Sequence, residues 1–303
     1  ENKAQENKAQ EKRTVPEMAI DYDRLMALEI PPFEHRYTER DTMLYALGLG
    51  FGQDPLNEAE LAFVYEKDLK VPPTMACVLA NNAWMRTMDT GIDYVKVVHG
   101  EQTFRLHRPL PAAARVVGHS RVLDIIDKGA GKGAIVYTER TVKDADSGET
   151  LATVVHTAFC RGDGGFGGPE RPSAPSHPVP QRAPDIVVDI ATRPETALIY
   201  RLSGDYNPLH AEPAMAAKAG YKQPILHGLA TFGIAGHAIL KTLCDYDPAG
   251  LAGMSGRFSS PVFPGETIRT EIWREDNAAS FQVKVAERNV IALSNGRAEL
   301  AGA

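Results

Sequence analysis

Asp205, Asn207 and His210 fall within six residues of "YRLSGDYNPLH", a segment running from Tyr200 to His210. A carboxylate and an imidazole five residues apart, across a turn containing Pro208, can hold one water between them and move its proton. Asn207 adds an amide that can hold the water or its target, and Pro208 fixes the backbone of the turn. The plainer reading is a helix end, because Asn and Pro are common in turns. Asp205, His210 and His227 can also be imagined around a metal ion, but their spacing matches no recognised ligand motif.

A second candidate follows at "ILHGLATFG". Gly228 opens a stretch, "LATFGIAGHAILKTL", whose apolar residues recur at helical spacing. A first-turn N–H has no intrahelical partner and the helix dipole stands behind it, so it suits a developing oxyanion. Glycine there keeps a Cβ away from an approaching group. His227 either orients this turn or takes part in the chemistry.

These elements sit in the second of two similar halves. "TMLYALGLGFG" resembles "TALIYRLSGDY", "KVPPTMACVLA" resembles "KQPILHGLATF", and "RPLPAAARV" resembles "SPVFPGETI". Tyr45 falls on Tyr200 at an offset of 155 residues, while Lys70 on Lys222 and Arg108 on Ser260 are each 152 apart. A nearly constant offset argues for duplication. Each half reads as helical segments followed by alternating strands, an α+β order rather than a βαβ one. In the first half "ACVLANNAWMRTMD" is the expected helix, and four strands follow it between Val95 and Gly162. The first copy places Gly50 opposite Asp205, Pro55 opposite His210, and Met75 and Ala76 opposite His227 and Gly228. One catalytic site per chain is therefore expected. The small residues of "GLGFG" are expected to leave room for part of a substrate.

The Asp205–His210 motif, with "ILHGLATFG" and "GRFSSPVFPGE", resembles the hydratase 2 (MaoC-like) family of hot-dog-fold enzymes acting on acyl-CoA thioesters. The two halves, "YALGLG", "VVHGEQ" and "DKGAGKGA" resemble its duplicated, double hot-dog form, which occurs in peroxisomal multifunctional enzyme type 2 and its bacterial relatives. The resemblance covers residues 17–303. It implies reversible syn hydration of a trans-2-enoyl-CoA to a (3R)-3-hydroxyacyl-CoA, with Asp205, Asn207, His210 and Gly228 as catalytic residues. It also implies ligand contacts at His99 and Gly100, at Lys128 and at Phe258, while Tyr206, Pro208 and Leu209 line the motif. Arg257 is a phosphate candidate on charge alone. CoA enters as part of the substrate; no metal or redox cofactor is implied, and a homodimer is the family habit. The alternatives are a dehydratase for acyl-carrier-protein, branched or dicarboxylic thioesters, and a thioester-binding module without catalysis.

Composition narrows the remaining classes. The 303 residues carry a net charge of −6, which gives no electrostatic case for nucleic acid or an anionic membrane. Three scattered cysteines argue against a disulfide framework. No apolar run is long enough to cross a bilayer. The expected layout is a mobile leader at 1–16, a non-catalytic acyl-binding half at 17–160, a Gly/Pro-rich flexible linker at 161–187 and a catalytic half at 188–303. A bacterial cytoplasm is the expected compartment, or a peroxisome in a eukaryote, although the C-terminus reads "LAGA" rather than Ser-Lys-Leu.

Overall fold

The computed structural model describes residues 19–173 and 176–301; the expected leader lies outside them. The first half contains α1 (Tyr22–Met26), β1 (Phe33–Tyr37), α2 (Glu39–Gly48), α3 (Glu58–Leu61), α4 (Trp84–Thr87), β2 (Val97–Leu106), β3 (Ala114–Asp127), β4 (Ala134–Asp144) and β5 (Thr150–Cys160). The second contains β6 (Ile186–Ala191), α5 (Thr196–Tyr200), α6 (Pro213–Lys218), α7 (Gly228–Leu243), β7 (Leu251–Phe258), β8 (Thr267–Arg274), β9 (Ala278–Val285) and β10 (Val290–Leu300). All seven strands expected from alternation are present. Three strands were not expected: the short edge strands β1 and β6, whose five or six residues carry little periodicity of their own, and β7, whose alternation is broken by Gly253 and Gly256.

The strands form one antiparallel sheet in the order β1-β3-β4-β5-β2-β7-β10-β9-β8-β6. The order is palindromic: each half contributes five strands in the same sequence, joined back to back at β2–β7. Tyr45 and Tyr200, matched by the sequence offset, meet ring to ring where α2 packs on α5, with centroids 5.8 Å apart. This is a double hot-dog.

The halves differ in their central helix. In the second half, α7 is buried along most of its length and packs on β7, β8 and β10. Two of its glycines face the first half rather than the sheet. A Cβ on Gly233 would lie 2.5 Å from Leu49, and one on Gly236 would lie 2.6 Å from Thr74. In the first half the expected helix over "ACVLANNAWMRTMD" is absent. A 3-10 turn at Pro73–Cys77 stops, Ala80 and Ala83 take left-handed conformations, and only α4 is helical. Tertiary partners capture the backbone groups that a helix would have paired. The Arg140 guanidinium donates to the Cys77 carbonyl (2.7 Å), and the Ala80 N–H donates to His35 Nδ1 (3.1 Å).

Two further expectations change. "GLGFG" does not leave open space: a Cβ on Gly48 would touch Tyr200 at 3.4 Å, and one on Gly50 would meet Gln53 and Ile190 at 2.9 and 3.1 Å. The Gly/Pro-rich segment is not a free linker. The buried Asp127 carboxylate accepts N–H bonds from Gly129, Gly165 and Gly167 at 2.7–3.0 Å. Burial works to raise its pKa, but these bonds outweigh it and the pKa is lowered. Trp273 Nε1 holds the Arg182 carbonyl, and Ile186 and Val187 already belong to β6.

Gly118 of β3 lies directly under the interrupted helix, where a Cβ would sit 2.4 Å from the Ala80 carbonyl oxygen. Backbone cannot swing aside as a flexible side chain can. Gly118→Val should lower stability by about 1–3 kcal/mol through overpacking, read as a reduced urea midpoint with an unchanged m-value.

Candidate active site

The motif is built as a relay of local bonds. Helix α5 runs into a 3-10 turn that ends at Gly204, whose φ of 114° requires glycine. Asp205 Oδ1 then accepts the Asn207 N–H (3.1 Å), and Asn207 Oδ1 accepts the Leu209 N–H (3.0 Å). Pro208 occupies the first position of the 3-10 turn Pro208–His210. The turn drives His210 inward, to 8% exposure, while Asp205 stays exposed.

His210 Nδ1 lies 2.8 Å from the Ile225 carbonyl. A carbonyl only accepts, so Nδ1 carries the hydrogen and Nε2 of the neutral ring offers a lone pair. By the same logic His227 Nε2–H donates to the Asp205 carbonyl (3.1 Å), leaving Nδ1 buried without a partner. The two rings stack at 3.7 Å with 25° between their planes. Burial lowers the pKa of His210. Burial first, then the neighbouring His210, pushes His227 down to about 4. Donor atoms of Asp205, His210 and His227 all lie within 4.8 Å of one another.

Gly228 begins α7 immediately after His227, and the Leu226 N–H is anchored on the Val262 carbonyl (2.8 Å). Among the described residues no protein acceptor meets the Gly228 N–H. The need for glycine has a specific cause: a Cβ would lie 3.1 Å from the Phe258 ring. Phe258 in turn packs on His99, with centroids 4.5 Å apart. Gly100 sits at a bulge between the pairs His99↔Ala158 and Glu101↔Thr157, where a Cβ would crowd the Thr157 carbonyl at 3.2 Å. The structure therefore joins Asp205, Asn207, Pro208, Leu209 and His210 in one turn, and Gly228, Phe258, His99 and Gly100 in one chain of contacts.

The remaining candidates stand differently. The amide oxygen of Asn207 is committed to the turn, so its evident work is positioning. Tyr206 is 58% exposed, with the Arg201 guanidinium 4.9 Å from its ring centroid. Arg257 is not a free cation: its Nε bonds Glu101 at 2.8 Å across the β2–β7 junction. Lys128 lies in the β3–β4 hairpin, its N–H on the Gly133 carbonyl. Strand register puts that hairpin at the end of the sheet where β2 enters, the end that carries His99. His156 was missed. Its edge meets the His99 ring at 4.3 Å, and burial pushes its pKa to about 4. The available signal was its place in the alternation of "TLATVVHTAFC" on the apolar side of β5.

The fold and site define the chain as a double hot-dog with a single Asp/His motif. Residues 35–162 match the MFE-2 hydratase 2 N-terminal domain, and residues 175–295 match the MaoC like domain. The chain is 40% identical over 289 residues to the peroxisomal enoyl-CoA hydratase 2 of Arabidopsis thaliana, covering 90% of this chain and 93% of that protein. It is 43% identical over 277 residues to the 3-hydroxyacyl-thioester dehydratase Y of Mycobacterium tuberculosis, covering 89% and 93%. Its fold matches the crystal structure of a MaoC-like dehydratase from Phytophthora capsici with a TM-score of 0.81 and 31% identity, over 93% of this chain and 99% of that one. The chain belongs to the hydratase 2 family of MaoC-like dehydratases, and its enzyme class is hydro-lyase. Among the described residues no helix is long and apolar enough to cross a membrane.

Burial lowers the pKa of His99, His156, His227 and His237, three of them to about 4. In an unfolded chain they titrate near 6.5, so below that pH the unfolded state binds more protons. Stability should be full above pH 6.5 and fall as pH drops toward 4, seen as a decreasing urea midpoint. A flat midpoint across that window would contradict this account.

Proposed function

We propose that the protein is an (R)-specific 2-enoyl-CoA hydratase, acting reversibly as a 3-hydroxyacyl-CoA dehydratase. The observation that carries the residue roles is the fixed tautomer of His210: its Nδ1 is tied to the Ile225 carbonyl, and a nitrogen of its ring lies within 4.8 Å of a carboxylate oxygen of Asp205 and a ring nitrogen of His227. A water held by Asp205 and His210 loses a proton to this pair as its oxygen bonds C3. The double bond's electrons pass through C2 to the thioester oxygen as an enolate. The pair then returns a proton to C2 on the same face, which makes the addition syn. The Gly228 N–H meets the enolate oxygen, a contribution of about 3 kcal/mol. Asn207 holds Asp205 and His210 in register through the turn, and Phe258 and His99 form the wall beside the thioester.

The reading takes an acyl-CoA thioester as substrate, with Lys128 toward its phosphates, a homodimer as assembly, and no metal or redox group in the chemistry. The reaction and its reversibility are supported by the resemblance to enoyl-CoA hydratase 2 and to the thioester dehydratase, and the CoA carrier by the resemblance to the Mycobacterium tuberculosis enoyl-CoA hydratase ChsH3. The single site is supported by the one Asp/His motif, which lies within the MaoC like domain.

Asp205→Asn and His210→Ala should each lower kcat for crotonyl-CoA hydration by about 100- to 10,000-fold, followed as loss of enoyl absorbance. Mutants equal to wild type would remove the hydratase assignment; turnover of acyl-carrier-protein substrates alone would move it to the other carrier. Because His210 must be neutral and its pKa is lowered, the acid limb of kcat/KM should lie below pH 6.5 and be absent in His210→Ala.

A further inference from the structure

The inner face of the first half-sheet is polar where that of the second is apolar. Cross-strand partners share a face, as do residues two apart. His99 pairs with Ala158, two residues from His156; His156 pairs with Gln102 and with Thr138; Arg140 stands two residues from Thr138 and pairs with Val154. One row therefore runs from Phe258 through His99 and His156 to Thr138 and Arg140. The matching buried row of β9 is Ala279, Phe281, Val283 and Val285.

Three atoms of this polar row, His99 Nε2, Thr138 Oγ1 and Arg140 Nε, are buried without a hydrogen-bond partner. Arg140 is the most costly. Its side chain is 8% exposed, and its one hydrogen bond to the protein, from Nη2 to the Cys77 carbonyl, leaves the charge without a carboxylate among the described residues. The charged and titratable groups around it are His35, His156 and the Cys77 thiol, none of them an anion at neutral pH. A buried guanidinium with no counter-charge is expensive, and a carboxylate meeting its free edge would relieve it. The row lies where the central helix of this half is interrupted. β4 is three strands from β7, about 14 Å across the sheet, and Arg140 is level with Met254, four residues or about 13 Å along β7 from Phe258, so the diagonal from Phe258 to Arg140 is about 19 Å.

We propose that Arg140, with Thr138 and His156 beside it, is a subsite for the distal end of the acyl chain, selecting chains that end in a carboxylate. This rests on the hydratase reading for the position of the thioester, and it narrows the substrate class to long-chain dicarboxylic enoyl-CoAs. Arg140 here is a specificity residue, far from the reacting atoms.

The test compares two trans-2-enoyl-CoAs of about sixteen carbons, a length set by the ~19 Å diagonal, one ending in methyl and one in carboxylate. Crotonyl-CoA serves as the short control. Wild type should favour the carboxylate chain in kcat/KM. Arg140→Met should lose at least about tenfold on that chain, with the methyl-ended chain and crotonyl-CoA changed less than about twofold, and Arg140→Lys should recover part of the loss. Equal kcat/KM for the two long chains in wild type, or a parallel loss on all three in the variant, overturns the proposal. Calorimetric binding of the corresponding saturated acyl-CoAs to wild type gives an independent reading. Preference for the carboxylate chain supports the subsite even if crotonyl-CoA is not hydrated, an outcome that sinks the hydratase reading alone. Equal affinity overturns the subsite even if Arg140→Met does not fold.

Discussion

The pairing of β2 with β7 is the interaction on which the rest depends. Glu101–Arg105 run antiparallel to Gly253–Arg257, and this ladder fuses two five-stranded sheets into one. It is clasped by Arg257–Glu101 within the ladder and by Arg105–Glu299 across to β10. Exposed pairs of this kind add little energy singly; the backbone ladder and the buried faces do most of the work. The junction also brings His99 of one half against Phe258 of the other, and Phe258 lies over Gly228. Neither half holds this wall alone.

The second constraint is that one long helix serves both halves. Because α7 turns Gly233 and Gly236 toward Leu49 and Thr74, first-half segments sit tightly on it. His237 of α7 continues that contact, stacked on Phe51 at 3.7 Å with its Nδ1 donating to the Leu49 carbonyl. The interruption of the other helix then leaves carbonyl and N–H groups that Arg140 and His35 satisfy. Duplication thus supplied two copies of the frame, and divergence gave one the acid–base turn and the other a polar inner face.

The active turn shows how short-range chemistry and long-range packing divide their tasks. Asp205, Asn207, Pro208 and Leu209 organise themselves through bonds between residues two apart. The hydrogen on His210 Nδ1 is decided by Ile225, and the orientation of His227 by the Asp205 carbonyl, 15 and 22 residues away. Burial keeps both imidazoles neutral, so the turn carries a base rather than two cations.

Alternation alone determined seven strands, helical spacing determined α7, and a nearly constant offset determined the duplication. Those signals are local, or repeat locally, and so survive in one dimension. The motif from Asp205 to His210 and the Gly228 turn were legible for the same reason. Only the tertiary structure decided that "ACVLANNAWMRTMD" is not a helix, because its backbone groups are taken by Arg140 and His35 on distant strands. It likewise bound Arg257 to Glu101, filled the space beside "GLGFG" with Tyr200 and Ile190, and tied the Gly-rich segment to Asp127. Each of these depends on a partner many residues away, and spacing along the chain does not encode which side chains a folded sheet brings together.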